Sequence, residues 1–131
     1  MSETFRKNIL IFDPDRDVGE LIARALEARR DCKCYQAATE EETVDLIKDI
    51  RFGMVLVDLG RAMAADFSLL KRIKRIAPET IVIVDAYLHQ KDQVQRAMAL
   101  GAWGHIVKPI KVESLRKKID ELYVSSSVSA S

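Results

Sequence analysis

Cysteine, proline, glycine and aromatic side chains are all scarce here: two Cys, three Pro, five Gly and 6% aromatics in 131 residues. The two cysteines, Cys32 and Cys34, stand two apart, so on a strand they share a side but cannot sensibly bridge. A metal reading would need more Cys or His close by, and the two histidines lie far along the chain. Buried thiols in a reducing compartment are the expectation. Charge of one sign is missing as well. Lys and Arg number 21 against 20 Asp and Glu, a net of +1, so no global field recruits nucleic acid or an anionic membrane. No apolar run approaches the roughly 20 residues of a membrane span. The opening Met1-Ser2-Glu3-Thr4-Phe5-Arg6-Lys7 has no apolar signal core behind it, which points to a cytoplasmic protein. No internal repeat is present.

What the chain has is a strand–helix alternation repeated five times. Met54-Val55-Leu56-Val57 runs into Asp58, Leu59 and Gly60. A short apolar run bounded by a turn reads as a strand buried on both faces of a parallel sheet. Ile9–Phe12 runs likewise into Asp13, Ile81–Val84 into Asp85, and His105–Val107 into Lys108 and Pro109. Cys32–Ala37 is a fifth, less apolar strand, expected near an edge.

Helical spacing separates these runs. Val18, Leu21, Ile22, Ala25 and Leu26 form the first apolar stripe, with Asp15 or Asp17 placed to cap its start and Arg29-Arg30 suited to its end. Thr39-Glu40-Glu41-Glu42 has the form of a capping box ahead of Thr43, Leu46, Ile47 and Ile50. Asp66 is expected to start a third helix, with Leu70, Ile73 and Ala77 inward, and Pro78 to stop it. Val94, Ala97, Met98 and Gly101 mark the fourth, and Val112, Leu115, Ile119 and Leu122 the last. The Ser-rich stretch 125–131 reads as a disordered tail or linker stub after a domain spanning 1–124. Together these imply an α/β three-layer sandwich around a parallel sheet.

Ligands of such sheets sit beyond the carboxyl ends of the strands, where Asp13, Asp58, Asp85 and Lys108 would converge. Nucleotide binding is excluded first. The turn Asp13-Pro14-Asp15-Arg16-Asp17 has no glycine and three acids, so it would repel a phosphate that needs open backbone N–H groups. Neither a dinucleotide fingerprint, a P-loop nor a Ser/Thr-rich phosphate loop appears. Phosphoryl transfer to a carboxylate fits better: an aspartate attacks phosphorus, a second acid holds a metal, and a lysine offsets the oxygens' charge.

At these residues the chain resembles the receiver domain of two-component response regulators. Ile9-Leu10-Ile11-Phe12-Asp13 is similar to that family's first strand, and Val55-Leu56-Val57-Asp58 to its phosphoacceptor strand. Gly101-Ala102-Trp103-Gly104-His105-Ile106-Val107-Lys108-Pro109 resembles its Gly-Ala-x-x-aromatic-x-x-Lys-Pro segment. The resemblance covers about Lys7 to Tyr123. It implies a flavodoxin-like, five-stranded sheet in the order 2-1-3-4-5 and a cis Lys108–Pro109 bond. It also implies Asp58 as phosphoacceptor from a histidine kinase or phosphotransfer protein, with Lys108 contacting the phosphoryl group. Mg²⁺ would be held by Asp13, Asp58 and the Gly60 carbonyl. It further implies a signalling module and not an enzyme. Its output partner or effector domain would meet the face of the fourth helix, fifth strand and fifth helix (Gln93, Arg96, His105, Arg116, Lys117), with a homodimer as a further use and no direct contact with nucleic acid or membrane.

Three positions depart from the family pattern. Pro14 replaces the second acid, usually the direct metal ligand, so Mg²⁺ binding should weaken; Asp15 is a substitute only if it is not a helix cap. Asp85 replaces the Thr or Ser that meets the phosphoryl oxygen, adding repulsion unless it is protonated or paired with Lys108. His105 takes the place of the switch aromatic and is placed to pair with Asp85. The loop after Asp58 reads Arg61-Ala62 where the family commonly has Met-Pro. Two readings follow: a receiver with weakened phosphoacceptance, or a pseudo-receiver that acts as a protein-interaction module without phosphorylation.

Overall fold

The computed structural model describes residues 7–28, 32–60 and 67–130, with side chains described up to Glu121. Five strands, β1 (Asn8–Phe12), β2 (Lys33–Ala37), β3 (Met54–Asp58), β4 (Ile81–Ala86) and β5 (Gly104–Val107), alternate with five helices. These are α1 (Arg16–Glu27), α2 (Glu40–Asp49), α3 (Ser68–Ile76), α4 (Lys91–Ala99) and α5 (Val112–Ala130). All strand pairs are parallel and the order is β2-β1-β3-β4-β5. This is the three-layer sandwich that the alternation predicts, in the 2-1-3-4-5 order that the family resemblance implies. The Lys108–Pro109 bond is cis.

The central strands are apolar throughout because helices cover both of their faces. All five residues of β3 are buried, and alternate residues divide between two cores. Leu10, Phe12, Val55, Val57, Val82 and Val84 face α2, α3 and α4. Ile9, Ile11, Met54, Leu56, Ile83 and Ile106 face α1 and α5, where Ile22, Leu26, Leu115 and Ile119 close the layer.

The helix starts carry the expected chemistry in part. Asp15 Oδ1 accepts from the N–H groups of Asp17 and Val18, capping α1. Thr39 Oγ1 accepts from Glu42 N, one half of the expected capping box, while Glu42 Oε1 accepts from Ala38 N and not from the Thr39 N–H. Phe67, at φ 54, precedes α3 without a side-chain cap; Asp66, Arg29-Arg30 and the Arg61-Ala62 loop lie outside the described residues. Gly101, at φ +112, ends the α4 turn in a conformation L side chains rarely adopt.

Three expectations are corrected. In α1 the inward stripe is Gly19, Ile22, Ala23 and Leu26, while Val18 and Leu21 are exposed, Leu21 by 69%. The helix is turned by about one residue because its small residues permit close approach: Gly19 lies against Asp13 and Gln36. In α4 only Ala97 is buried, and Met98 faces solvent. Finally, α5 continues as helix through residues 125–130, where the sequence reads as a disordered tail. No Gly or Pro interrupts that stretch, and each added helical residue gains one backbone hydrogen bond.

Leu56→Ala is expected to lower stability by about 2–5 kcal/mol, since it empties a fully buried site. Leu21→Ala should stay within about 0.5 kcal/mol. Urea unfolding of the two variants measures both, and similar costs would contradict the observed facing of α1.

Candidate functional site

Strand register builds the site. Asp58 and Asp85 are direct partners at the ends of β3 and β4, and Asp13 follows β1, its N–H donating to Ala37 O at 3.1 Å. Lys108 follows β5 and is held by its own N–H donating to Ala86 O at 2.9 Å. All four predicted groups therefore meet at one rim. The three carboxylates are buried, with Asp85 only 1% exposed.

Lys108 Nζ donates to Asp58 Oδ1. It stands 3.6 Å from Asp85 Oδ1, and also lies over the Tyr87 ring at 5.2 Å. Asp85 Oδ1 is buried without a hydrogen-bond partner. An ionised carboxylate in that state is costly. Burial, and then the charge of Asp13, push the Asp85 carboxyl up to about 8, against the smaller opposing pull of the Leu59 N–H. Burial likewise pushes the Lys108 ammonium below its usual range. Burial at the rim therefore favours the protonated form of Asp85.

The metal arrangement is incomplete. Asp13 Oδ1 accepts from Asp15 N at 2.8 Å, Asp15 itself is spent as the α1 cap, and Pro14 offers no side-chain oxygen. Gly60 sits against the Asp58 carboxylate, where an added Cβ would lie 3.1 Å from Oδ2. Among the described residues no group of three or more His, Cys, Asp or Glu side chains is arranged to hold a metal ion. Asp13, Asp58 and the Gly60 backbone, which the family resemblance assigns to Mg²⁺, are at the rim, while Pro14 supplies no ligand in place of the family's second acid.

His105 is not brought to Asp85. It pairs with Val84, whereas Asp85 pairs with Ile106, so the pleat sends the two side chains to opposite faces. His105 is exposed on edge strand β5. Two contributors escaped the sequence reading. Gln90 donates its amide to Leu59 O at 2.9 Å and accepts from Tyr87 N at 2.9 Å, tying the loops after β3 and β4 together. Tyr87 walls the ammonium. The turn position of Tyr87, two residues past Asp85, was the available signal for it; nothing local marked Gln90.

The model of the response regulator receiver domain matches residues 9–120. The chain belongs to this family. Sporulation initiation phosphotransferase F of Bacillus subtilis is 26% identical over 113 residues, covering 86% of this chain and 90% of that protein. A protein-glutamate methylesterase/protein-glutamine glutaminase of Myxococcus xanthus is 27% identical over 103 residues, covering 78% of this chain. The receiver matches only 30% of that longer protein. A Burkholderia pseudomallei response regulator, solved with a phosphorylated aspartic acid, a calcium ion and citrate, superposes with a TM-score of 0.74. It is 24% identical, and the match covers 94% of this receiver and 74% of that chain. No helix among the described residues is long and apolar enough to cross a membrane.

The state of Asp85 predicts a pH dependence. Its folded value of about 8 lies above the ordinary 3.8, so the folded state keeps a proton that the unfolded chain has released. Stability then falls as pH rises from about 4 through about 8 and levels off above. The Lys108 shift acts at the alkaline end with the opposite sign. Asp85→Asn should flatten the decline, as read by urea midpoints from pH 5 to 9; parallel curves for the two proteins would contradict a neutral Asp85.

Proposed function

We propose that this receiver domain serves phosphorelay signalling with Asp58 as phosphoryl acceptor and Lys108 as its counter-charge, acceptance being held down by Asp85 and Pro14. The observation that carries the reading is the direct Lys108–Asp58 hydrogen bond at the mouth of the sheet. Oδ1 of Asp58 faces the ammonium and Oδ2 faces Gly60, where the missing Cβ keeps the carboxylate uncrowded. Oδ2 attacks the phosphorus of a histidine kinase or phosphotransfer protein, and the leaving nitrogen takes the bonding pair. Lys108 then offsets the charge on the transferred oxygens. Asp85 holds acceptance down in its ionised form, which repels the incoming phosphoryl group; protonated, it carries an O–H donor where the family has a hydroxyl. The phosphorylated aspartic acid in the Burkholderia relative is the precedent for such an adduct on this fold.

The added charge of about −1.5 to −2 would bias the face of α4, β5 and α5 toward an output partner. On this reading the protein is cytoplasmic and a signalling module, not an enzyme. A second reading is favoured by the incomplete metal set and the buried Asp85: a pseudo-receiver that binds partners without phosphorylation.

Incubation with acetyl phosphate and mass measurement separates the two. A gain of roughly 80 Da, lost in Asp58→Asn, supports acceptance; an unchanged mass across donors and added Mg²⁺ supports the pseudo-receiver. Combining Pro14→Asp with Asp85→Thr should raise labelling at least about tenfold, the factor that about 1.4 kcal/mol confers.

A further inference from the structure

Cys32 and Cys34 play no part in the rim chemistry, yet they form a defined cluster elsewhere. Cys34 lies in β2 and Cys32 immediately precedes it, on a strand that ends the sheet. Both are half-buried and not joined in a disulfide. Both pack against the core on the α1 side, and the Cys32 sulfur is near enough to push the Cys34 thiol up. Glu27, in the last turn of α1, closes the third side: its Oε2 accepts from Cys34 N at 2.9 Å.

Along extended chain, residues two apart have Cα atoms about 6.5 Å apart with side chains projecting in parallel. A disulfide needs Cβ atoms about 3.8 Å apart, so the pair cannot close on itself without breaking the strand. A bridging ion needs less: two metal–sulfur bonds of about 2.3 Å span at most about 4.6 Å, a distance sulfurs leaning together from parallel Cβ atoms can reach. Tetrahedral divalent ions want four ligands, and no group of three metal-binding side chains among the described residues is arranged to hold a metal ion. Soft ions that accept two thiolates remain.

We propose that Cys32 and Cys34 form a two-sulfur site for a soft, thiophilic monovalent cation of the Cu(I) class, held at the β2 edge beside the end of α1. Two groups that resist a lone thiolate become favourable around a cation. Burial, the neighbouring sulfur and the Glu27 carboxylate all push the Cys34 thiol up, and a bound positive charge reverses the two electrostatic contributions. Half-exposure gives the ion a route in, while packing against Leu26 and Ile9 holds the sulfurs in place.

The test is an anaerobic titration in which the full chain competes with a colorimetric Cu(I) chelator. The wild type should capture one equivalent. Cys32→Ser and Cys34→Ser should each weaken capture by at least about 100-fold, more than the loss of an outer-shell partner, while Lys33→Ala leaves it unchanged. X-ray absorption of the complex should show sulfur alone in the inner shell, two atoms per copper. Failure of the wild type to bleach the chelator overturns the site, as does undiminished capture by either serine variant.

Discussion

One ammonium serves three buried carboxylates where β1, β3, β4 and β5 end, and this imbalance governs the site. Were Asp13, Asp58 and Asp85 all ionised, Lys108 would leave a formal excess of two negative charges in a part-buried rim. The structure resolves this unequally. Lys108 gives its hydrogen bond to Asp58, Asp13 receives a backbone N–H, and Asp85 has an oxygen with no partner. The protonated form is favoured at Asp85, the group with least compensation and most burial. Solvation and pairing thus give three chemically identical side chains three different environments.

The rim was legible in the sequence because its logic is topological. A parallel sheet puts the carboxyl ends of its strands together, so an acid or lysine ending each apolar run at 13, 58, 85 and 108 must share an edge. The register then made Asp58 and Asp85 direct neighbours. What the sequence did not disclose was which groups would pair. His105 and Asp85 seemed close when only their strands were considered, but a one-residue offset across β4 and β5 places them on opposite faces. The role of Gln90 was hidden for a related reason: its partners Leu59 and Tyr87 are backbone groups of loops, and loop backbones leave no pattern in side-chain order.

The same limit explains α1. Apolar spacing alone selected Val18, Leu21, Ile22, Ala25 and Leu26 as the buried stripe; Ile22 and Leu26 are buried, whereas close packing puts Gly19 and Ala23 inward in place of the other three. Hydrophobicity ranks residues by their transfer from water; it does not register how near a helix must come to a sheet. The turned helix leaves Val18, Leu21 and Ala25 lining a groove of about 650 Å³ with Ile110 and Leu115, open beside Asp13 and Lys108. The helix that delivers the Asp15 cap therefore also shapes the apolar approach to the rim.

An aspartate at position 85 is compatible with the fold because β4 is an interior strand. Neighbours on both sides satisfy its backbone, including the Leu59 N–H that donates to Asp85 O at 2.8 Å, so only the side chain bears the cost of burial. A carboxyl can reduce that cost by keeping its proton, as a buried lysine can by losing one, whereas an arginine stays charged. Neutral, it is a compact O–H donor next to the Asp58 carboxylate. Ionised, it repels Asp58 and competes with it for Lys108. The receiver architecture thus accommodates the carboxyl intact, and what changes is the charge balance beside Asp58.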